Sequence, residues 1–527
     1  MILKGRRKIL SEYSPEDLRD VEVLKAAYNA AMVIHQVNKQ EIDYLVDYKN
    51  GRQPVLDKEK EVRPEINNKL VINHAQMITR MVTGYFLGTP IQYTQATADK
   101  KSQIEILNRA VAYEDKPSVD KELAEIQSIC GTAYRVIFTD GMYGDDVPFE
   151  DRMLNPATTF VVYQNNVAEI PLFGAHYFSM FNDQGYPIGS KIYIYTNYGS
   201  YVFTSTNPDG ILSLGAEYEF EPYDVGGVPV VEYPNNIWRI GDWELCIDLM
   251  DAINGMQSGR LDDVDQTVQS LLVFINADID SERYEEMRQS GVISLVNKTG
   301  ANSQVQTVQN SLDQNGMNLL SQEFEELLYA LIGIPDRNNR AGGGGDTGAA
   351  VELRDGWADL EIIARNKELT FRRSEKQALR IMMNILNNKM GFDLNLMDVN
   401  IKFSRNKNNN LLVKTQAYMN LMSTKTLDPA DCLTIVDLVS DVNDFIERGK
   451  DFWEDEFAGK APEQEEPPLL DENGQPMDDP TQTEDEEDKV DEESNDGEAA
   501  DENVDDEQVD DEEPTDGDDE NKKKNKK

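Results

Sequence analysis

Apolar residues recur at helical spacing over most of this chain and at strand spacing over one long interval. Val21, Leu24, Tyr28, Ala31 and His35 fall on one face of a helix, with Ser14, Pro15 and Asp17 as a start signal and Gly51 as a stop, which predicts a helix over 14–49. A second helix follows Asn73, with its stripe at Met77, Ile78, Met81, Val82 and Tyr85, and ends before Gly88-Thr89-Pro90 because proline cannot continue it. Two more helical stretches fill 100–113 and 118–129. From Gly131 to Asn235 the period changes. YRVIFTD, TTFVVYQ, KIYIYTN, YVFTS and VPVVEY are β-branched and aromatic runs between turn residues, which predicts a mainly antiparallel β region.

Helical spacing returns over 242–272 (Leu245, Leu249, Ile253, Met256), and a short mixed segment separates it from a helix over 312–332. The glycine-rich run PDRNNRAGGGGDTGA comes next. A helical pattern over 349–390, with Leu353, Trp357, Leu360 and Ala364 opening its stripe, would span roughly 60 Å at 1.5 Å per residue. That is longer than ordinary globular helices and suits an element crossing a large assembly. A strand (VNIKFS), a helix over 409–423 and a helical pair over 428–458 follow. The fold class is α+β, and 527 residues exceed what one hydrophobic core usually holds.

Charge changes this picture in one place. Of the net −47, residues 461–527 carry −24 (30 Asp and Glu against 6 Lys), so this tail is expected to be disordered. The remainder is still acidic. A nucleic-acid clamp needs cations to neutralise phosphates, so DNA meeting this protein would be guided rather than gripped. Cys130, Cys246 and Cys432 are isolated, and His35, His74 and His176 lie far apart, which excludes a disulfide framework or zinc spacing and suits a reducing cytoplasm. MILKGRRKIL has no apolar run behind it, and no segment has the ~20 apolar residues of a membrane span, so neither a signal peptide nor a membrane partner is expected.

Three groups of residues invite chemical readings. Gly343, Gly345 and Gly348 fit G-x-G-x-x-G, but a helix rather than a strand precedes them and no Lys-Ser/Thr follows, so a mobile loop is the better reading. Asp248, Asp251, Asp262, Asp263 and Asp265 crowd one helix. Without a histidine or an orienting partner they read as a solvated acidic face, which in a ring would line a channel. Arg365, Lys367, Arg372, Arg373, Lys376 and Arg380 are interleaved with Glu361, Glu368 and Glu375, which favours ion pairs within or between subunits over a phosphate-binding stripe. No catalytic triad is supported, and no enzyme, metal or cofactor is expected.

Beyond this, the chain resembles the portal proteins of long-tailed bacteriophages. The matching segments are EINNKLVINHAQMITRMVTGYFLGTPIQY (65–93), GTAYRVIFTD (131–140), ATTFVVYQNN (157–166), GVPVVEYPNN (227–236) and GDWELCIDLMDAINGMQSGRLDDVDQ (241–266). LLYALIGIPD (327–336), TGAAVELR (347–354) and KTQAYMNLMSTKTLDPAD (414–431) continue the series. The glycine-rich loop and the acidic tail depart from the family pattern.

The resemblance implies a homo-oligomeric ring, usually a dodecamer, at one capsid vertex of the virion, assembled in the host bacterial cytoplasm. Its regions would be a wing (1–241), a first stem helix (242–275), a clip (276–308), a second stem helix (309–334), a tunnel loop (335–349), a long wing helix and strand (350–408), a crown (409–460) and the tail (461–527). The implied partners are double-stranded DNA in the channel, the terminase large subunit, a head-completion or adaptor protein, and the major capsid and scaffolding proteins. Arg337, Arg340, Gly342, Gly343, Gly344 and Gly345 would form the tunnel loop. Asp280, Glu282, Arg283, Glu286 and Arg288 of the clip would dock the motor. Two alternatives stay open, another head–tail connector ring and a nucleotide-binding enzyme.

Overall fold

The fold is described from a computed structural model covering residues 5–96, 100–139, 148–213, 215–268, 271–275, 282–283, 285–286, 304–308, 313–335, 357–405, 411–424 and 427–436, with short pieces up to 450. The N-terminal half is a helical layer against two sheets. Its helices are α1 (Val21–Lys49), α2 (His74–Phe86), α3 (Lys101–Tyr113) and α4 (Lys116–Cys130). Asn73 caps α2 by accepting from Gln76 N, in line with the sequence. The start of α1 differs. Ser14 and Asp17 bond each other and close a separate short turn, and the side chain of Asp20 caps the helix instead. A start signal seven residues upstream therefore belongs to its own 3-10 turn.

The six-stranded sheet runs β1 (Ile9–Ser11), β5 (Thr159–Gln164), β6 (Pro171–Phe181), β7 (Pro187–Tyr195), β8 (Gly199–Ser205) and β9 (Tyr218–Pro222) in spatial order. Only β1 and β5 pair in parallel in this sheet; the remaining pairs are antiparallel, as the alternating runs predict. A second sheet orders β10 (Val230–Pro234), β3 (Thr132–Phe138) and β4 (Glu150–Leu154). Strand β6 escapes the sequence reading because Gly174 and His176 interrupt its apolar run. At Gly174 the two sheets approach closely, since a Cβ there would sit 2.4 Å from Val230 Cβ.

Helices α5 (Ile247–Val268) and α6 (Gln314–Ile332) are joined through the hairpin β11 (Leu271–Ile275) and β12 (Gln304–Val308). The sequence extends helix to 272, but α5 stops at Val268 and 271 already belongs to a strand. LLVFI is an unbroken apolar run that suits either state, and cross-strand pairing decides for the strand. The long helix α7 (Trp357–Met390) has 34 residues within the described part, about 50 Å. Residues 349–356 of the expected helix lie outside the described residues. Strand β13 (Val399–Lys402) pairs with β2 (Gln92–Gln95), and α8 (Leu411–Ser423) and α9 (Pro429–Val436) follow. The main core gathers α2, α4, α7 and the second sheet, with Phe86, Phe371, Leu379 and Trp243 buried at its centre.

Candidate functional site

Helix α5 is fastened along one side by an extended segment. Asn254 Oδ1 accepts from Ile72 N at 2.8 Å, Ser258 Oγ from Leu70 N at 2.9 Å, and Asp262 Oδ1 from Asn68 N at 2.6 Å. Four helical residues rise about 6 Å, close to the roughly 6.7 Å covered by two extended residues, so an Asn-x3-Ser-x3-Asp row can bond alternate amides. Asp262 also receives Lys58 and Lys60 at 2.8 and 3.0 Å. Burial pushes its carboxyl up, but these bonds outweigh it and hold the pKa at about 2.

The expected acidic face is therefore divided. Asp248 is exposed. Asp251 is half-buried and accepts from Tyr48 Oη at 2.9 Å, and burial raises its pKa. Asp263 accepts from Gln314 at 2.8 Å and Asp265 from Asn68 at 2.7 Å. Asp262, only 4% exposed, corrects the reading of a fully solvated cluster. It is an anchor, and sequence spacing alone does not distinguish an anchor from a solvated carboxylate.

The opposite seam, between α5 and α6, is polar. Gln257 donates to Ser321 at 2.8 Å, and Arg260 reaches Gln314 and Asn318 at 3.3 Å each, so the two helices run antiparallel. Leu328 and Ile332 bury the C-terminal end of α6, where Gly333 caps it at φ +68°.

Helix α7 is held by charge as well as by packing. Glu375, fully buried at its middle, accepts from Tyr93 at 2.6 Å, Tyr233 at 2.8 Å and Arg135 at 3.2 Å, and pairs with Lys116 at 2.9 Å. Lys116 also holds Asp120, and Arg135 pairs with both Asp120 and Asp151. Burial opposes ionisation of Glu375, but Lys116 and Arg135 keep its pKa low. The sequence reads Glu375 as one of three carboxylates balancing helix surface charge. Glu361 and Glu368 do that, pairing with Arg365 and Arg372 one turn on. Glu375 instead sits inside the core.

Asp151 is the weak member of this network. It lies 3.2 Å from Arg135 Nε, yet neither of its oxygens makes a hydrogen bond. Burial dominates over Arg135 and raises its pKa to about 6. The unfolded value is near 3.8, so the folded state holds the proton longer. Stability from this group is full at low pH and is lost as pH rises from about 4 to about 6. Asp151→Asn is expected to become more stable relative to wild type across that window, by roughly 2–3 kcal/mol. Urea midpoints at pH 4.5 and 7.5 check this; a difference independent of pH would assign the titration to another group.

Of the expected clip residues, Glu282, Arg283 and Glu286 are exposed and helical, whereas Asp280 and Arg288 lie outside the described residues. Arg337, Arg340 and Gly342, Gly343, Gly344 and Gly345 lie outside them too, as does the tail. Among the described residues no His, Cys, Asp and Glu are grouped to hold a metal, and no helix is long and apolar enough to cross a membrane. The three cysteines are free and buried.

The family model described as "Phage portal protein, SPP1 Gp6-like" matches residues 32–451. The chain belongs to this portal family. A curated relative, the portal protein of Bacillus phage SPP1, is 23% identical over 366 residues, covering 67% of each chain. The portal match takes in α5, the β11–β12 hairpin, α6, α7 and the Glu375 network, and leaves out 452–527, which hold the acidic tail. Arg6 also falls outside it, although it is buried and bridges Glu41 at 3.1 Å and Glu244 at 2.5 Å. The basic N-terminus of this portal chain is thus partly a core element, which its composition does not reveal.

Proposed function

We propose that this chain forms a closed ring at one capsid vertex, a non-enzymatic channel through which viral DNA is packaged and later ejected. The observation that carries the reading is the portal family match across α5, the hairpin, α6 and α7 in one continuous span. In this reading α5 and α6 are the stem, and 276–308 is the clip. The extended 68–72 segment bracing α5 stiffens the stem, since three successive turns of that helix, at Asn254, Ser258 and Asp262, are bonded to it. Asp248 and its neighbours give the channel a field that repels phosphates, so DNA slides without settling. Arg337, Arg340 and the glycines of 335–349 follow the duplex as a tunnel loop, because glycine accepts many backbone conformations at low steric cost.

Exposed charges at Glu282, Arg283 and Glu286 suit an interface that exchanges the terminase motor for a head-completion protein, since permanent interfaces are larger and more apolar. The 409–460 crown, the capsid and scaffolding contacts and the acidic 461–527 tail complete the proposal. Native mass spectrometry and electron microscopy of the purified chain test it. A closed ring with a central channel is expected, twelve-fold or close to it. A strictly monomeric species at micromolar concentration overturns the ring.

A further inference from the structure

A closed ring needs a heterologous interface, in which each copy presents two different surfaces that fit each other. Two helix faces have that relation. On α6 the outward face carries Leu320, Glu323, Leu327 and Leu331, with Leu319 and Glu326 along its edge, all within half a turn at 100° per residue. Leu319 and Leu331 are 66% and 64% exposed. The side of α6 turned to α5 is met by Gln257 and Arg260, so the apolar stripe is not used against α5. Glu323 and Glu326 make no ion pair with any described residue.

On α7 the outward face carries Ile362, Leu369, Arg373, Lys376 and Arg380, spaced 7, 4, 3 and 4 residues apart. They form one line about 27 Å long. Ile362 and Leu369 are 57% and 68% exposed. The carboxylates that interleave here in sequence turn elsewhere, Glu368 to Arg372 and Arg405, and Glu375 into the core. Lys376 and Arg380 therefore have no carboxylate partner among the described residues, and Arg373 acts only through its field at Glu169.

We infer that the acidic, aliphatic face of α6 docks on the basic, aliphatic face of α7 of a second copy, and that this contact closes the ring. The inference rests on the ring reading above and names its surfaces. Aliphatic side chains alternate with charges of opposite sign on the two faces, as at interfaces where apolar area gives affinity and charge gives register. Both faces stay exposed within one chain, so neither is the other's partner there. DNA is the competing occupant of the α7 line. The exposed Ile362 and Leu369 argue against it, since phosphates make no use of aliphatic surface.

Charge exchange in the full-length chain tests the pairing. Glu323→Lys with Glu326→Lys, and separately Lys376→Glu with Arg380→Glu, should each raise the concentration at which rings dissociate about tenfold or more, read by native mass spectrometry. Circular dichroism should remain that of wild type, because all four side chains are exposed. Combining both pairs should restore rings to near the wild-type concentration. Rings unaffected by either reversal, or no rescue in the combination, overturn the pairing while leaving the ring reading intact. Intact rings with weakened binding of linear duplex DNA in the Lys376/Arg380 variant would overturn it in favour of a phosphate contact. A monomeric wild type would overturn both readings together.

Discussion

Replacing Glu375 with Gln is expected to destabilise the protein by about 3 kcal/mol, the scale found when one partner of a buried ion pair is removed. Each Glu375 oxygen serves two donors, Tyr93 and Lys116 at one, Arg135 and Tyr233 at the other. The amide nitrogen of glutamine must face one of these donor pairs as a donor itself. The loss also unties the middle of α7 from α4, β3, β10 and β2, which Glu375 links at a single point. A second consequence follows from charge balance. Lys116 and Arg135 face three carboxylates, Asp120, Asp151 and Glu375. With Glu375 neutral, Asp151 ionises more readily, and the fall in stability between pH 4 and 6 should shrink. Urea unfolding followed by tryptophan fluorescence reads both effects. A cost under about 1 kcal/mol would mean that the network is not a stabilising element.

Gly131→Ala should cost about 2–5 kcal/mol from two separate causes. Gly131 sits at φ +76°, where a side chain costs ~1–2 kcal/mol. A Cβ there would also lie 2.1 Å from Arg239 O, and relieving such overpacking typically costs ~1–3 kcal/mol. The neighbouring backbone cannot yield easily. Arg239 is held by a bidentate pair with buried Glu232, at 2.6 and 3.0 Å, and Asn235 N donates to Gly131 O at 2.9 Å. Gly131 ends α4 and starts β3, so the strain falls on the joint between the helical layer and the three-stranded sheet. Gly84→Ala is the control, because a Cβ there meets nothing within 4 Å and alanine favours helix. Thermal melts should separate the two variants; equal melting temperatures would remove the backbone contact as a cause.

Local signals carried most of the element map. Asn73 capping α2, the stop at Gly88-Thr89-Pro90, the change to period two after Gly131 and the single long helical pattern near the C-terminus are written in consecutive residues, and each bounds an element of the right type. Where the sequence misplaces an element, two local states compete. LLVFI reads as the end of a helix until Leu271–Ile275 pairs with β12. Strand β6 is obscured by a glycine that only the neighbouring Val230 explains.

The sequence by itself determined the α+β class, the acidic tail's composition, the long helix and, through collinear segments, the portal resemblance that the family match bears out. Tertiary structure alone decided the role of each charge. Asp262 and Glu375 look like their solvated neighbours in sequence, because a carboxylate is read the same way whether water or a lysine faces it. Burial and partners separate them, and both come from residues up to 282 positions away, Tyr93 for Glu375 and Lys58 for Asp262. The same folding turns Glu368 and Glu375 away from the outer line of α7 and leaves Lys376 and Arg380 uncovered. A helix has several faces but one sequence, and only packing decides which face each charge occupies.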